Sequence, residues 1–217
     1  MGIKIKTLKI AVTGGAASGK SAVCKFFGEM GLTVISLDAI SRELMMPGMP
    51  VFSKIIHRFG KEMVCDDGSL DRQTLRILMT QDPVARKDLE SIVQPEILKT
   101  MNLKMAACED KNESFVVVEV PLLFECHLEH TFDVSVLVTV DRDIQIRRIM
   151  DRDNVAAEDA RRLLDIQMPQ EEKIKRADII INNNQSYEIL CHETGRVFKI
   201  LEKRFENKNL ISKALDS

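Results

Sequence analysis

A three-layer α/β fold around a mostly parallel five-stranded sheet is predicted by three observations. Five short apolar runs recur along the chain, Lys9-Ile10-Ala11-Val12, Thr33-Val34-Ile35, Phe115-Val116-Val117-Val118, Val134-Ser135-Val136-Leu137-Val138 and Ile179-Ile180-Ile181. Longer amphipathic stretches separate them, the alternation expected of parallel strands joined by crossover helices. The runs also lack a regular polar alternation, as strands covered on both faces should.

The elements follow in order. After the first run, Gly14-Gly15-Ala16-Ala17-Ser18-Gly19-Lys20-Ser21 fits G-x-x-x-x-G-K-[ST] between a strand and a helix. Small residues there let backbone N–H groups wrap a phosphate, and the helix N-terminus adds its positive dipole end. Lys20 places a point charge toward the β- and γ-phosphates of a nucleotide, and Ser21 offers a hydroxyl to Mg²⁺. The chain is thus read as a P-loop NTPase core, and the bound nucleotide as ATP. A GTPase should carry an N-K-x-D reader after a late strand, whereas Asn182-Asn183-Asn184-Gln185 stands there.

The first helix is expected over Lys20 to Glu29, ending at Gly31 in a left-handed cap. From Ala39 to Asp110 no strand-like run occurs, and helical stretches are punctuated by Pro47-Gly48, Gly60, Asp67-Gly68, Pro83 and Pro95. The core is therefore assigned to 1–38, a helical acceptor-binding insertion to 39–112, and the second part of the core to 113–147. Residues 148–176, dense in both signs of charge, read either as a solvated helical face or as a helical lid. The last strand and a C-terminal helix from Tyr187 to about Arg204 fill 177–217, with the final dozen residues expected to fray.

With 217 residues, 45% of them hydrophobic and 29% charged, the composition is that of an ordinary globular protein with a substantial core. A net charge of -2 supplies no general attraction to nucleic acid or anionic lipid. Behind the basic start (Lys4, Lys6, Lys9) the apolar run is too short for an export signal or a membrane span. Cys24, Cys65, Cys108, Cys126 and Cys191 form no C-x-x-C pair, so reduced and mostly buried thiols in a cytoplasmic protein are expected.

Position picks out further residues. Asp38 closes the second strand at the edge where open α/β sheets bind ligands, though a helix-capping aspartate would look the same. Arg42 lies four residues further on and could bind an acceptor's phosphate. Glu119 ends the third strand and could reach Mg²⁺ through water, or be a plain strand-end acid. Arg148 and Arg152, spaced i,i+4, could reach the transferring phosphoryl group or pair with Asp151 or Asp153. Leu122, Leu123 and Phe124 either line the acceptor cleft or belong to the core.

Several strings resemble dephospho-CoA kinases along the chain to about residue 185. They include Val12-Thr13-Gly14-Gly15 with the loop, Asp67-Gly68-Ser69-Leu70-Asp71-Arg72, Pro121-Leu122-Leu123-Phe124-Glu125, Arg152-Asp153, Gln167-Met168-Pro169 with Glu171-Glu172-Lys173, and Ala177-Asp178. The resemblance implies Mg²⁺- and ATP-dependent phosphorylation of the ribose 3′-hydroxyl of dephospho-CoA by a monomer or weak homo-oligomer. It implies Asp38 as base, Pro121 to Glu125 with the insertion as acceptor site, and Gly14 to Ala22 with Asn182 as nucleotide site. Ser36-Leu37-Asp38 replaces the family's D-A-D, leaving Asp38 alone. Ala17 stands for a usual glycine, Ala22 for threonine and Gln94 for the histidine of a His-Pro, while Leu163, next to Arg162, stands for a lid arginine. The same architecture could serve another small alcohol, and a non-catalytic nucleotide-binding regulator is the reading from a different class.

Overall fold

The computed structural model describes residues 5–215, so Lys4 lies outside it. The five expected strands form: β1 (Leu8–Thr13), β2 (Thr33–Ser36), β3 (Phe115–Glu119), β4 (Val134–Thr139) and β5 (Ile179–Asn182). All neighbours pair in parallel, in the order β2-β3-β1-β4-β5. Glu119 is in register with both Val12 and Ser36. The ends of three strands therefore reach the carboxyl edge of the sheet at one level.

On one face Ile10, Val12, Val117, Val136 and Ile181 pack with Val23 and Phe27 of α1 (Lys20–Glu29) and with Leu190, Val197 and Leu201 of α9 (Tyr187–Leu215). Ala11, Val116, Val118 and Leu137, which alternate with them, are also fully buried. This is the two-sided burial that the unbroken apolar runs call for. Gly31 takes φ +88° and its N–H meets Gly28 O at 2.9 Å, ending α1 where expected.

The C-terminal helix does not fray from residue 206 but continues to Leu215. Its last turns are pinned to the strand side, which sequence periodicity does not reveal. Lys208 Nζ reaches Asp133 at 2.6 Å and donates to Thr7 O at 2.9 Å, while Asn209 Oδ1 accepts the Lys6 N–H.

The chain divides into a sheet-bearing unit (Met1–Ser36 and Met105–Ser217) and a second unit, Leu37–Lys104. The second unit contains α2 (Leu37–Leu44), α3 (Pro50–Phe59), α4 (Arg72–Gln81) and most of α5 (Pro83–Asp110) around Val51, Ile55, Leu75, Leu89 and Val93. Pro95 does not punctuate the chain, because α5 runs through it. In the sheet-bearing unit, β4 and β5 are separated by α6 (Arg142–Asp153), α7 (Ala157–Asp165) and α8 (Gln170–Arg176). No disulfide joins the five cysteines; Cys24 and Cys108 are buried, whereas Cys65 is exposed and Cys126 and Cys191 are only partly covered, against the expectation of burial.

Candidate active site

The loop leaving β1 turns at Gly15, whose carbonyl accepts the Ser18 N–H at 3.2 Å, and enters α1 through Gly19. Gly19 caps α1 at φ +99° without a side-chain bond, so no cap side chain occupies the first-turn N–H groups, which suits an anion. Lys20 Nζ is held over the loop by Gly14 O at 3.0 Å and Gly15 O at 2.9 Å. Ser21 Oγ donates to Glu119 Oε1 at 2.7 Å, bringing together the two residues singled out for Mg²⁺. Glu119 is buried at the carboxyl edge of β3. Ala22 donates its N–H to Gly19 O and packs its methyl on the core.

Burial pushes the thiol pKa of Cys24, one turn into α1, far up; the Glu119 charge adds to this and Lys20 opposes it. That thiol stays protonated and serves packing.

The segment after β3 has two parts. Leu123 and Phe124 are completely buried and belong to the core, leaving Leu122 as the exposed member of the triplet. Glu125 faces inward: its Oε1 lies 2.6 Å from Nζ of the buried Lys173 and accepts the Met168 N–H at 3.2 Å. The position read as an acceptor contact thus fastens α8 to this segment. Arg176 adds to the fastening, with its guanidinium 5.4 Å over the Phe124 ring and 2.6 Å from Glu129.

Arg148 reaches the loop itself, donating to Ala17 O at 3.2 Å and to Asn183 O at 3.5 Å. Arg152 forms a two-point pair with Asp153, 2.9 and 2.7 Å, one of the alternatives left open by its spacing. Arg162 pairs with Asp159 at 3.4 Å, and Leu163 packs with Ala16 and Ala17 against the apolar seam of α6 and α7. Asn182 closes a local turn by accepting the Asn184 N–H.

The residue beside Asn182 is the one that touches the loop: Asn183, nearly buried, donates to Ser18 O at 2.7 Å. Sequence reasoning passed over Asn183, Gln145 and the pairing of Lys173. Only the strings Asn182-Asn183 and Gln167-Met168-Pro169 hinted that amides were placed here. A cavity of about 510 Å³ opens beside Gly15, walled by Gln145, Gln167, Asp165 and Lys173 among others.

In the second unit, Asp38 lies in the first turn of α2, which begins at Leu37, so it is not the cap of that helix. Arg42 follows one turn later, and both side chains are exposed. The D-G-x-L-D-R string is explained locally: Asp67 accepts Ser69 N–H at 2.9 Å across the turn, and Asp71 caps α4 by accepting Thr74 N–H at 2.9 Å.

A parallel sheet in this order, with a glycine-rich loop after its central strand, a lysine over that loop and a serine–glutamate pair beside it, defines a P-loop nucleoside-triphosphate-binding core. The dephospho-CoA kinase family model matches residues 8–188. The dephospho-CoA kinase of Syntrophotalea carbinolica is 39% identical over 181 residues, 83% of this chain and 86% of its own length. Among solved structures, a Thermus thermophilus protein superposes with a TM-score of 0.75 at 30% identity, over 90% of this chain and 97% of the other. The dephospho-CoA kinase of Campylobacter jejuni gives 0.67 at 28% identity, over 90% and 97%. The chain belongs to the dephospho-CoA kinase family.

Proposed function

We propose that the protein transfers the γ-phosphoryl group of ATP to the ribose 3′-hydroxyl of dephospho-CoA, giving CoA and ADP in the last step of coenzyme A synthesis. The observation that carries this reading is the phosphate loop, with Lys20 over it and Ser21 on Glu119, in a chain matched by the family over residues 8–188. Loop N–H groups and Lys20 bind the β- and γ-phosphates and spread the charge that develops on transfer. Ser21 and Glu119 are hard oxygen donors 2.7 Å apart, a set suited to Mg²⁺ held by hydroxyl and, through water, carboxylate. When bound, that ion neutralises and orients the phosphates.

Asp38 orients the acceptor hydroxyl and takes its proton late, Arg42 binds the acceptor's phosphate, and Leu122 contributes apolar contact to it. Arg148 and Arg152 act on the transferring phosphoryl group. No helix among the described residues is long and apolar enough to cross a membrane. We place the enzyme in the cytoplasm, acting on ATP and dephospho-CoA without nucleic acid.

The test is an ADP-release assay with Mg²⁺-ATP and, in parallel, dephospho-CoA, adenosine, AMP, shikimate or no acceptor. ADP formation dependent on dephospho-CoA is expected. Preference for another alcohol would leave the kinase and remove the acceptor, and no acceptor-dependent ADP would leave a nucleotide-binding regulator.

A further inference from the structure

Three consecutive carbonyls of the phosphate loop are each caught by a side-chain donor from outside it. Gln145 Nε2 of α6 donates to Ala16 O at 2.9 Å, Arg148 Nη1 to Ala17 O at 3.2 Å, and Asn183 Nδ2, just past β5, to Ser18 O at 2.7 Å. The chain has no cis peptide among its described residues, and in a trans peptide the carbonyl and the following N–H point in opposite directions. Drawing these carbonyls toward α6 and Asn183 therefore turns the N–H groups of Ala17, Ser18 and Gly19 the other way. The Ser18 N–H closes the turn to Gly15 O. A loop that binds phosphate must present N–H groups and keep its carbonyls, the negative ends of the same dipoles, away from the anion. A donor on each carbonyl also polarises that peptide and strengthens its N–H.

The glycines of the loop supply an independent observation. A Cβ at Gly15 would lie 2.6 Å from Gln145 Nε2, and one at Gly19 would lie 2.1 Å from Asn183 Nδ2. Both positions thus admit the two amides at close range. Each amide is nearly buried, at 7% and 6% exposure, so neither is a surface side chain that happens to reach a carbonyl. Ala17, between them, sits at φ +55°, a conformation unfavourable for a residue with a Cβ, and the flanking donors hold it there.

We propose that Gln145 and Asn183 are positioning residues for phosphate binding, which with Arg148 hold the loop carbonyls outward and so set the affinity of the loop for the β-phosphate. This rests on the reading of the loop as the nucleotide site. It adds two residues to that site and assigns Arg148 a second task on the loop backbone.

The test uses the full chain with Gln145→Met and Asn183→Leu, which keep size and remove the donor, beside Lys20→Ala. ADP affinity is measured by calorimetry, and KM for ATP and for dephospho-CoA by steady-state kinetics. Each amide variant is expected to weaken ADP binding and raise KM for ATP about tenfold, while KM for dephospho-CoA moves less than twofold. A purely structural role would raise both KM values together, and that result overturns the proposal. So does an ADP affinity within twofold of wild type in both variants while Lys20→Ala loses binding. If Lys20→Ala also binds ADP normally, the loop reading itself fails. Should Asn183→Leu not fold, Asn183→Asp replaces the donor by an acceptor at the same shape, and the same ADP loss is required of it.

Discussion

At the scale of single residues, the pairing of Ser21 with Glu119 joins two positions far apart in sequence, and its chemistry is testable apart from the fold. Glu119→Gln keeps an oxygen that can accept the Ser21 hydroxyl and removes the charge. Because outer-shell partners typically tune metal affinity by about 10- to 100-fold, the expected outcome is a rate that needs more Mg²⁺ by that order. A Mg²⁺ titration of initial rate checks it. Ala17 sets opposing terms against each other. Glycine there would relieve a left-handed alanine, worth about 1 kcal/mol, but would free the unfolded chain by about 0.4–1 kcal/mol. It would also give up a methyl packed with Leu163 on the seam of α6 and α7. Ala17→Gly should therefore change stability by less than about 0.5 kcal/mol in thermal melts. Ala17 and Leu163 both pack against this one apolar cluster.

At the scale of elements, α8 is held by buried Lys173 on the partly covered Glu125 and by Arg176 on Glu129 and Phe124. Removing Lys173 leaves the Glu125 carboxylate, largely withdrawn from water, with only the Met168 N–H to offset its charge. Lys173→Met should cost about 3 kcal/mol, and Glu125→Met with Lys173→Met together should cost less than the single change. Urea denaturation of both variants decides. In the second unit, hydrogen bonds from Thr74 hold the Asp71 carboxyl below its usual pKa as it caps α4. A carboxyl so depressed contributes stability above its unfolded pKa and loses it as pH falls through the folded one. Asp71→Ala should thus melt below wild type at neutral pH and converge with it in acid. These elements also mark what was legible. Strand positions, the loop and the first cap could be read because apolar runs and G-x-x-x-x-G-K-[ST] are local signals. The partners of Glu125, Asn183 and Gln145 could not, because each pairing spans at least 43 residues and leaves no periodicity. The persistence of α9 to Leu215 was hidden for the same reason, since Asp133 and Lys6 secure it from a distance.

At the scale of the whole molecule, the residues proposed to bind the nucleotide belong to the sheet-bearing unit, whereas Asp38 and Arg42 belong to the unit that begins at Leu37, directly after β2 in the sequence. If Asp38 is the base, its loss should separate chemistry from nucleotide binding. A loose phosphoryl-transfer transition state needs little early deprotonation, so the carboxylate first orients the attacking oxygen and accepts the proton late. General-base contributions run to about 10²–10⁴ in rate, so Asp38→Asn should lower kcat within that range while ATP affinity stays within about twofold. The competing structural role is now narrower than the sequence allowed. Asp38 lies inside the first turn of α2 and not at its cap, so what asparagine removes is a charge near the helix N-terminus, worth about 0.3–1 kcal/mol. A loss of that size lowers the melting temperature by a few degrees and leaves kcat intact. The measurements are kcat, ATP Kd and melting temperature for Asp38→Asn side by side. A kcat within threefold of wild type, with a slightly lower melting temperature, would make Asp38 a helix-dipole partner and nothing more, whereas a fall of two or more orders with ATP affinity unchanged fixes it as the group that handles the acceptor hydroxyl.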